Sequence, residues 1–241
     1  MKAVALIPAR YAATRFPGKL MAMLGTKTVI QHTYDAVYNT KLFDDVIVVT
    51  DSTIIFDSIT TIGGKALMSK QVHESGSDRI AEAAYTLHAD IIVNVQGDTP
   101  FAKKEPLAKL LQIFSDTAAE KVQVASLMQT LTNTQDIADP NFVKVAVDKH
   151  FNALFFSRSI IPYPRNTNIS IPYYEHIGVY AFRKQALLQF TQWPTTPLED
   201  AEKIECLRYL ENGMSIKMVL TDYMGVEIDT PEDLQKAEKL L

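Results

Sequence analysis

Three cations share one loop. Arg10, Arg15 and Lys19 stand in the stretch Ile7-Pro8-Ala9-Arg10-Tyr11-Ala12-Ala13-Thr14-Arg15-Phe16-Pro17-Gly18-Lys19, with small, hydroxyl or aromatic residues between them. A guanidinium offers a planar fork of donors and an ammonium a compact charge, so the trio suits a polyphosphate. The competing reading is a surface loop of solvated cations. The stretch is not a P-loop, because Gly18-Lys19 is followed by Leu20 and no glycine stands five residues before Gly18.

Two carboxylates are candidates for a hard cation. Asp98 follows Gln96-Gly97 at the end of an apolar run, and the glycine lets backbone approach closely there. An Asp opening an ordinary turn is the alternative. Asp229 lies in Ile228-Asp229-Thr230-Pro231-Glu232-Asp233-Leu234. Pro231 suits the first position of a helix, which makes Thr230 the N-cap and Asp233 its capping-box partner. Asp229 is left without a capping task and so becomes a metal-ligand candidate. Two carboxylates meeting on Mg²⁺ among phosphates suit phosphoryl or nucleotidyl transfer.

Other groups are polar enough to bind a ligand. Ser75-Gly76-Ser77-Asp78-Arg79 opens a helix, either to meet an anion or simply to cap it. Tyr174, His176, Gly178 and Tyr180 alternate, so they share one strand face. That face is a platform for a hydroxylated substrate or the wet side of an edge strand. Arg158 and Arg165 are available to an acid group. A helix over 198–210 would put Ala201, Ile204 and Leu207 in the core and Glu202, Glu205 and Tyr209 on a polar stripe.

These residues need elements to hold them. Short β-branched runs at 3–7, 46–51, 65–68, 90–98 and 122–128 alternate with helical patterns at 29–38, 54–62, 80–87 and 106–114. The alternation argues for an α/β fold, a Rossmann-like, mostly parallel sheet flanked by helices. Gly63-Gly64 suits a helix C-terminal cap. The second half is richer in strands, at 143–147, 153–156, 173–182 and 215–220, with a last helix from Pro231. We expect one domain over 1–241. Roughly 1–130 forms its nucleotide-binding half, and 131–241 serves a second substrate and dimerisation.

Composition narrows the function classes. A chain of 241 residues, 47% hydrophobic and 22% charged, has room for a sizeable core. A net charge of -4 gives no footprint for nucleic acid or an anionic membrane, so the cations of the first loop are local. One cysteine, Cys206, excludes an internal disulfide and a cysteine-rich metal site, as suits a reducing compartment. The first apolar run is too short for a signal peptide and is broken by Pro8 and Arg10. We expect a cytoplasmic protein.

The ordered set of motifs is specific where each alone is weak. Ile7-Pro8-Ala9-Arg10, Arg15-Phe16-Pro17-Gly18-Lys19, Ser75-Gly76-Ser77-Asp78-Arg79, Asn94-Val95-Gln96-Gly97-Asp98, Phe156-Ser157-Arg158, His176-Ile177-Gly178-Val179-Tyr180 and the Asp229 stretch follow the order and spacing of one family. The chain resembles the 3-deoxy-D-manno-octulosonate (KDO) cytidylyltransferases, also called CMP-KDO synthetases, almost end to end. The resemblance implies a homodimer that couples CTP to KDO for lipopolysaccharide synthesis and releases pyrophosphate. It implies that Arg10, Arg15 and Lys19 hold the CTP phosphates, with Arg10, Lys19 and Asp98 serving the chemistry. Asp98 and Asp229 would hold Mg²⁺, Ser75 and Arg79 would lie near the nucleoside, and Gln96, Arg158, His176, Tyr180 and Glu205 would line the sugar pocket. Two positions depart from the family pattern. Thr99 replaces an acid, and Cys206 replaces a glutamine that touches sugar, which leaves 8-amino-KDO as an alternative substrate.

Overall fold

The computed structural model describes residues 1–12, 16–71, 73, 75–115, 122–166, 168–222 and 226–241. Arg15 lies outside the described residues. The first strand, β1 (Ala3–Ala9), is buried along its whole length. Its odd residues join one core and Val4 and Leu6 the other, because both of its faces are covered. A short 3₁₀ turn (Lys19–Met21) leads into a hairpin of β2 (Met23–Leu24) and β3 (Lys27–Thr28). Helix α1 (Val29–Asn39) starts at a capping box formed by Thr28 and Gln31.

Strand β4 (Asp45–Thr50), helix α2 (Thr53–Thr61) and strand β5 (Lys65–Met68) follow. Gly63, at φ 78, ends α2 as the glycine pair predicts: Gly63 N donates to Thr60 O and Gly64 N to Ile59 O. Helix α3 (Gly76–Thr86), strand β6 (Ile91–Asn94) and helix α4 (Lys104–Gln112) complete the first layer. Strand β7 (Val124–Leu131), the short α5 (Thr134–Ala138), the hairpin of β8 (Lys144–Val147) and β9 (Ala153–Ser157), and the long β10 (Tyr173–Arg183) come next. The chain ends with α6 (Lys184–Phe190), α7 (Pro197–Glu202), α8 (Leu207–Glu211), β11 (Ile216–Leu220) and α9 (Pro231–Glu238).

The central sheet runs β11-β7-β10-β6-β1-β4-β5. Pairs β6-β1, β1-β4, β4-β5 and β11-β7 are parallel, while β10 is antiparallel to both β6 and β7. The hairpin β8-β9 extends from β10 through the single pair Glu175 and Lys144. A core of Val29, Ile30, Ile55, Leu107 and Leu110 fills one side of the sheet, and Ile80, Ala84, Leu187, Phe190 and Leu207 fill the other. The mostly parallel sheet with helices on both faces is the expected architecture. Among the described residues no helix is long and apolar enough to cross a membrane.

Two expectations about elements are corrected. The helix over 198–210 is two helices, because Lys203 adopts a left-handed conformation (φ 53) and breaks it. Tyr209 is therefore not on a polar stripe; it is buried between Phe182 and Phe190. The strand read over 90–98 ends at Asn94. Beyond it Val95 N still donates to Leu6 O, and the chain then turns, with Thr99 N bonded to Gln96 O. Asp98 thus stands in a turn past the strand and not at its last residue.

Candidate active site

Ligand sites in open α/β sheets lie off the carboxyl ends of the strands. Here β1 delivers Pro8, Ala9 and Arg10 to that edge, and the turn after β6 delivers Gln96, Gly97 and Asp98 beside them. The two segments touch. A Cβ on Gly97 would sit 2.9 Å from Pro8 O, so only glycine fits without displacing backbone. Thr33 Oγ1 donates to Gly97 O at 2.8 Å and fixes the turn from below. Thr99, in the place of the family's acid, is buried and turns its hydroxyl back onto the Gln96 carbonyl.

Lys19 reaches this edge from the other side. Gly18 takes a left-handed conformation (φ 70) and donates to Tyr11 O at 3.1 Å, which closes the loop and starts the 3₁₀ turn at Lys19. The Lys19 ammonium lies 2.5 Å from Asp98 Oδ2 and 2.7 Å from Asp229 Oδ1. Burial disfavours its charge, but the two carboxylates outweigh burial and raise its pKa above the ordinary lysine value.

Asp98 and Asp229 are far apart in sequence and meet here for a backbone reason. Ile228 N donates to Asp98 O at 3.0 Å, which lays the two segments side by side. As the sequence predicts, Thr230 and Asp233 form the capping box of α9, with Pro231 at its start. No cluster of three His, Cys, Asp or Glu side chains suited to a metal occurs among the described residues. The pair of carboxylates still fits Mg²⁺, which keeps several waters and takes one or two carboxylates plus substrate phosphates. Both oxygens already converge on a single cationic atom.

The cleft around these groups has a volume of about 420 Å³. Arg10, Lys19, Ser75, Arg79, Gln96, Asp98, Glu205 and Asp229 all line it. Ser75 caps α3 by accepting from Asp78 N at 3.1 Å. Arg79 borders the cleft, yet its guanidinium is buried and tied to Asp51 (2.7 Å) and Ser69 (3.0 Å), so it also locks α3 to the ends of β4 and β5. His73 lines the cleft as well, with Nε2 2.7 Å from Glu82 Oε2. Sequence reasoning passed over it, although it stands two residues before the Ser75 motif.

A smaller pocket of about 220 Å³ adjoins the cleft and shares Gly76, Gln96 and Glu205 with it. His176, Gly178 and Tyr180 of β10 line it, which brings the predicted platform to a cavity. The ring of His176 is 4.9 Å from Phe156 and 5.2 Å from Tyr180, and burial pushes its pKa down to about 3. Ser126 hands its hydroxyl hydrogen to a backbone carbonyl, Val179 O at 2.9 Å or Ile177 O at 3.2 Å. Ser126 Oγ therefore accepts from His176 Nε2 at 3.0 Å, which leaves Nδ1 of the neutral ring as an acceptor.

Gln96 Nε2 donates to Gly178 O at 3.1 Å, and Glu205 accepts from Ser77 at 2.6 Å. Burial, aided by Asp78 and Glu199, raises the Glu205 pKa against that hydrogen bond. The break at Lys203 is what turns Glu205 toward Ser77, and Lys203 and Ile204 complete the wall. Cys206 lines neither cavity. Its buried thiol bonds to Tyr180, and burial raises its pKa.

Arg158 is not among the lining residues of either cavity. Its Nε donates to Glu202 O at 2.8 Å and its NH1 to Pro140 O at 2.9 Å. It meets a ligand in the smaller pocket only by exchanging those carbonyls for it.

The comparisons with known proteins agree with this geometry. A family model described as cytidylyltransferase matches residues 4–216. The 3-deoxy-manno-octulosonate cytidylyltransferase of Flavobacterium johnsoniae is 58% identical over 241 residues, covering 100% of this chain and 99% of its own. The chain belongs to the 3-deoxy-manno-octulosonate cytidylyltransferase family. The enzyme of that name from Christiangramia forsetii is 58% identical over 238 residues, covering 99% of this chain and 96% of its own. A solved structure of CMP:2-keto-3-deoxy-manno-octonic acid synthetase complexed with CTP superposes with a TM-score of 0.94 at 38% identity, covering 100% of this chain and 98% of that one.

Proposed function

We propose that the protein transfers CMP from CTP to the anomeric hydroxyl of KDO, giving CMP-KDO and pyrophosphate. The observation that carries this reading is the pairing of two cavities: a cleft where a lysine and two carboxylates converge, and beside it a smaller hydrogen-bonding pocket that shares Gly76, Gln96 and Glu205 with it. A nucleoside triphosphate needs the first, and a polyhydroxylated acid fits the second. The likeness to a synthetase solved with CTP supports the assignment of the two substrates.

The reaction is an in-line displacement. The anomeric oxygen forms a bond to the α-phosphorus as the bond to the β-phosphate oxygen breaks, pyrophosphate departs, and the hydroxyl proton passes to solvent. Charge develops on phosphate oxygens, so positioning and cations account for most of the acceleration. Arg10 and Lys19 grip the phosphates, together with Arg15, and no protein nucleophile is required. Asp98 and Asp229 are the residues that would hold Mg²⁺, which when bound supplies positive charge to the phosphate oxygens. Ser75 and Arg79 border the nucleoside, Gln96, His176, Tyr180 and Glu205 face the sugar, and Arg158 joins them once released from its carbonyls.

The same reading makes the protein a cytoplasmic homodimer active in lipopolysaccharide synthesis. Sedimentation that finds only monomer at working concentrations refutes the dimer. Pyrophosphate release with Mg²⁺ tests the function: CTP, UTP, ATP and dTTP are each paired with KDO, 8-amino-KDO and sialic acid. Release with CTP and KDO is the expected result. Release confined to the amino sugar would reassign the substrate, and no release with any pair would overturn the reading.

A further inference from the structure

The smaller pocket contains one buried polar atom with no partner. Asn94 ends β6, where Ile91, Val93 and Val95 face one core and Ile92 the other. Asn94 shares the face of Ile92, in register with Leu6 of β1 and Tyr180 of β10. An apolar side chain would pack in that row. At 1% exposure Asn94 is the most deeply buried of the residues lining the pocket. Its Oδ1 has no hydrogen-bond partner.

Its polar neighbours in the pocket make their hydrogen bonds elsewhere. Ser77 donates to Glu205, Gln96 to Gly178 O and His176 to Ser126, while Tyr180 bonds to Cys206. None of these bonds engages Asn94. A buried acceptor without a donor costs free energy, and buried polar groups are otherwise almost always paired. A ligand with a hydroxyl in this pocket removes that cost on binding. A ligand lacking the hydroxyl leaves the cost in place, which is how a polar site rejects a near-isostere.

We propose that Asn94 is a specificity-determining residue of the transfer reaction, its side-chain amide accepting a hydrogen bond from a hydroxyl of the sugar acid. This rests on the assignment of the smaller pocket to the sugar. The strand, packed on both sides, holds the amide rigidly, so the contact selects for the position of that hydroxyl and not merely for its presence.

Steady-state kinetics of Asn94→Leu and Asn94→Ala test it, using CTP with KDO and with a series of KDO analogues each lacking one hydroxyl. The sugar KM is expected to rise about tenfold, with the CTP KM unmoved. One analogue, penalised about tenfold by the wild type, should be handled by the variants no worse than KDO. Asn94→Leu should melt no lower than the wild type, since an apolar group replaces an unpaired one. Should it fail to fold, the alanine variant carries the kinetic test. An unchanged sugar KM, an equal rise for both substrates, or a full penalty retained in the variants for every analogue overturns the assignment. A wild type that is inactive with KDO removes the proposed function and Asn94's role with it. An active wild type with an unmoved sugar KM in the variants overturns the role of Asn94 alone.

Discussion

The cleft and the smaller pocket are neighbours built on opposite principles. In the cleft, charge does the work: an ammonium lies between two carboxylates, all on turns and loops beyond the strand ends. In the pocket most of the polar groups are uncharged, and His176 and Tyr180 of β10 stand in a row of rings from Phe156 to Phe182. Charges on loops tolerate small shifts in geometry, because Coulomb interactions fall off slowly with distance. Hydrogen bonds do not, because they weaken steeply with angle. The charges of the cleft therefore sit on turns and loops, while Asn94, His176 and Tyr180 of the pocket sit on paired strands.

The largest effect should come from the cleft. Asp98→Asn keeps the shape and removes a charge, so the fold should survive while kcat falls roughly 100-fold or more. Near-normal turnover at saturating Mg²⁺ would sink the metal-ligand assignment. Next in size is Gly97→Ala, because the added carbon meets Pro8 O at 2.9 Å and Leu20 Cδ1 at 3.2 Å. We expect a loss of about 1–3 kcal/mol of stability, read as a lower melting temperature, with both substrate KM values raised because the turn carries Gln96 and Asp98 together.

Lys19→Ala should act on one side only. The KM for CTP should rise about tenfold while the sugar KM holds; unchanged CTP dependence with an altered sugar response would contradict the division of labour. The variant removes the ammonium that lies between Asp98 and Asp229, so millimolar Mg²⁺ should raise its melting temperature more than that of the wild type.

The smallest effect on turnover concerns the pocket and pH. His176 has a folded pKa of about 3, below the ordinary value of 6.5. Between those values the unfolded chain binds the proton and the folded one does not, so stability falls as pH drops from 6.5 toward 3, by less than about 1.4 kcal/mol per pH unit. Melting curves from pH 7 to 4 should show this slope, and His176→Phe should flatten it. An equal slope in the variant would assign the acid sensitivity elsewhere.

Much of the cleft was legible in the sequence because its residues sit on local signals. A glycine after an apolar run marked a close backbone approach beside Asp98, though not the turn that carries it, and the Thr230-Pro231 cap, by accounting for its neighbours, singled out Asp229. What brings the two acids together, the Ile228 to Asp98 hydrogen bond, is a long-range event that no local pattern encodes. The pocket was half legible. Period-two alternation put His176 and Tyr180 on one face, as they are. The break at Lys203 was hidden because lysine is a good helix former and gives no local sign of a left-handed turn. The insertion of β10 between β6 and β7 was equally hidden, since strand order is not written in strand propensity. Asn94 passed as part of a motif, and its solitude shows only when its neighbours are in place.

Gly76, Gln96 and Glu205 border both cavities. The lining residues thus divide into private and common ones. Lys19 borders only the cleft, and Asn94 and His176 border only the pocket, so changes there should speak for a single substrate. A change at Gln96 or Glu205 should speak for both, and two-substrate kinetics will return a mixed answer that neither KM can interpret. The common wall also gives the substrates a means of sensing one another. Whichever arrives first orders side chains that the second then finds already set, so titration of KDO should yield a tighter Kd with a non-transferable CTP analogue in place than without it.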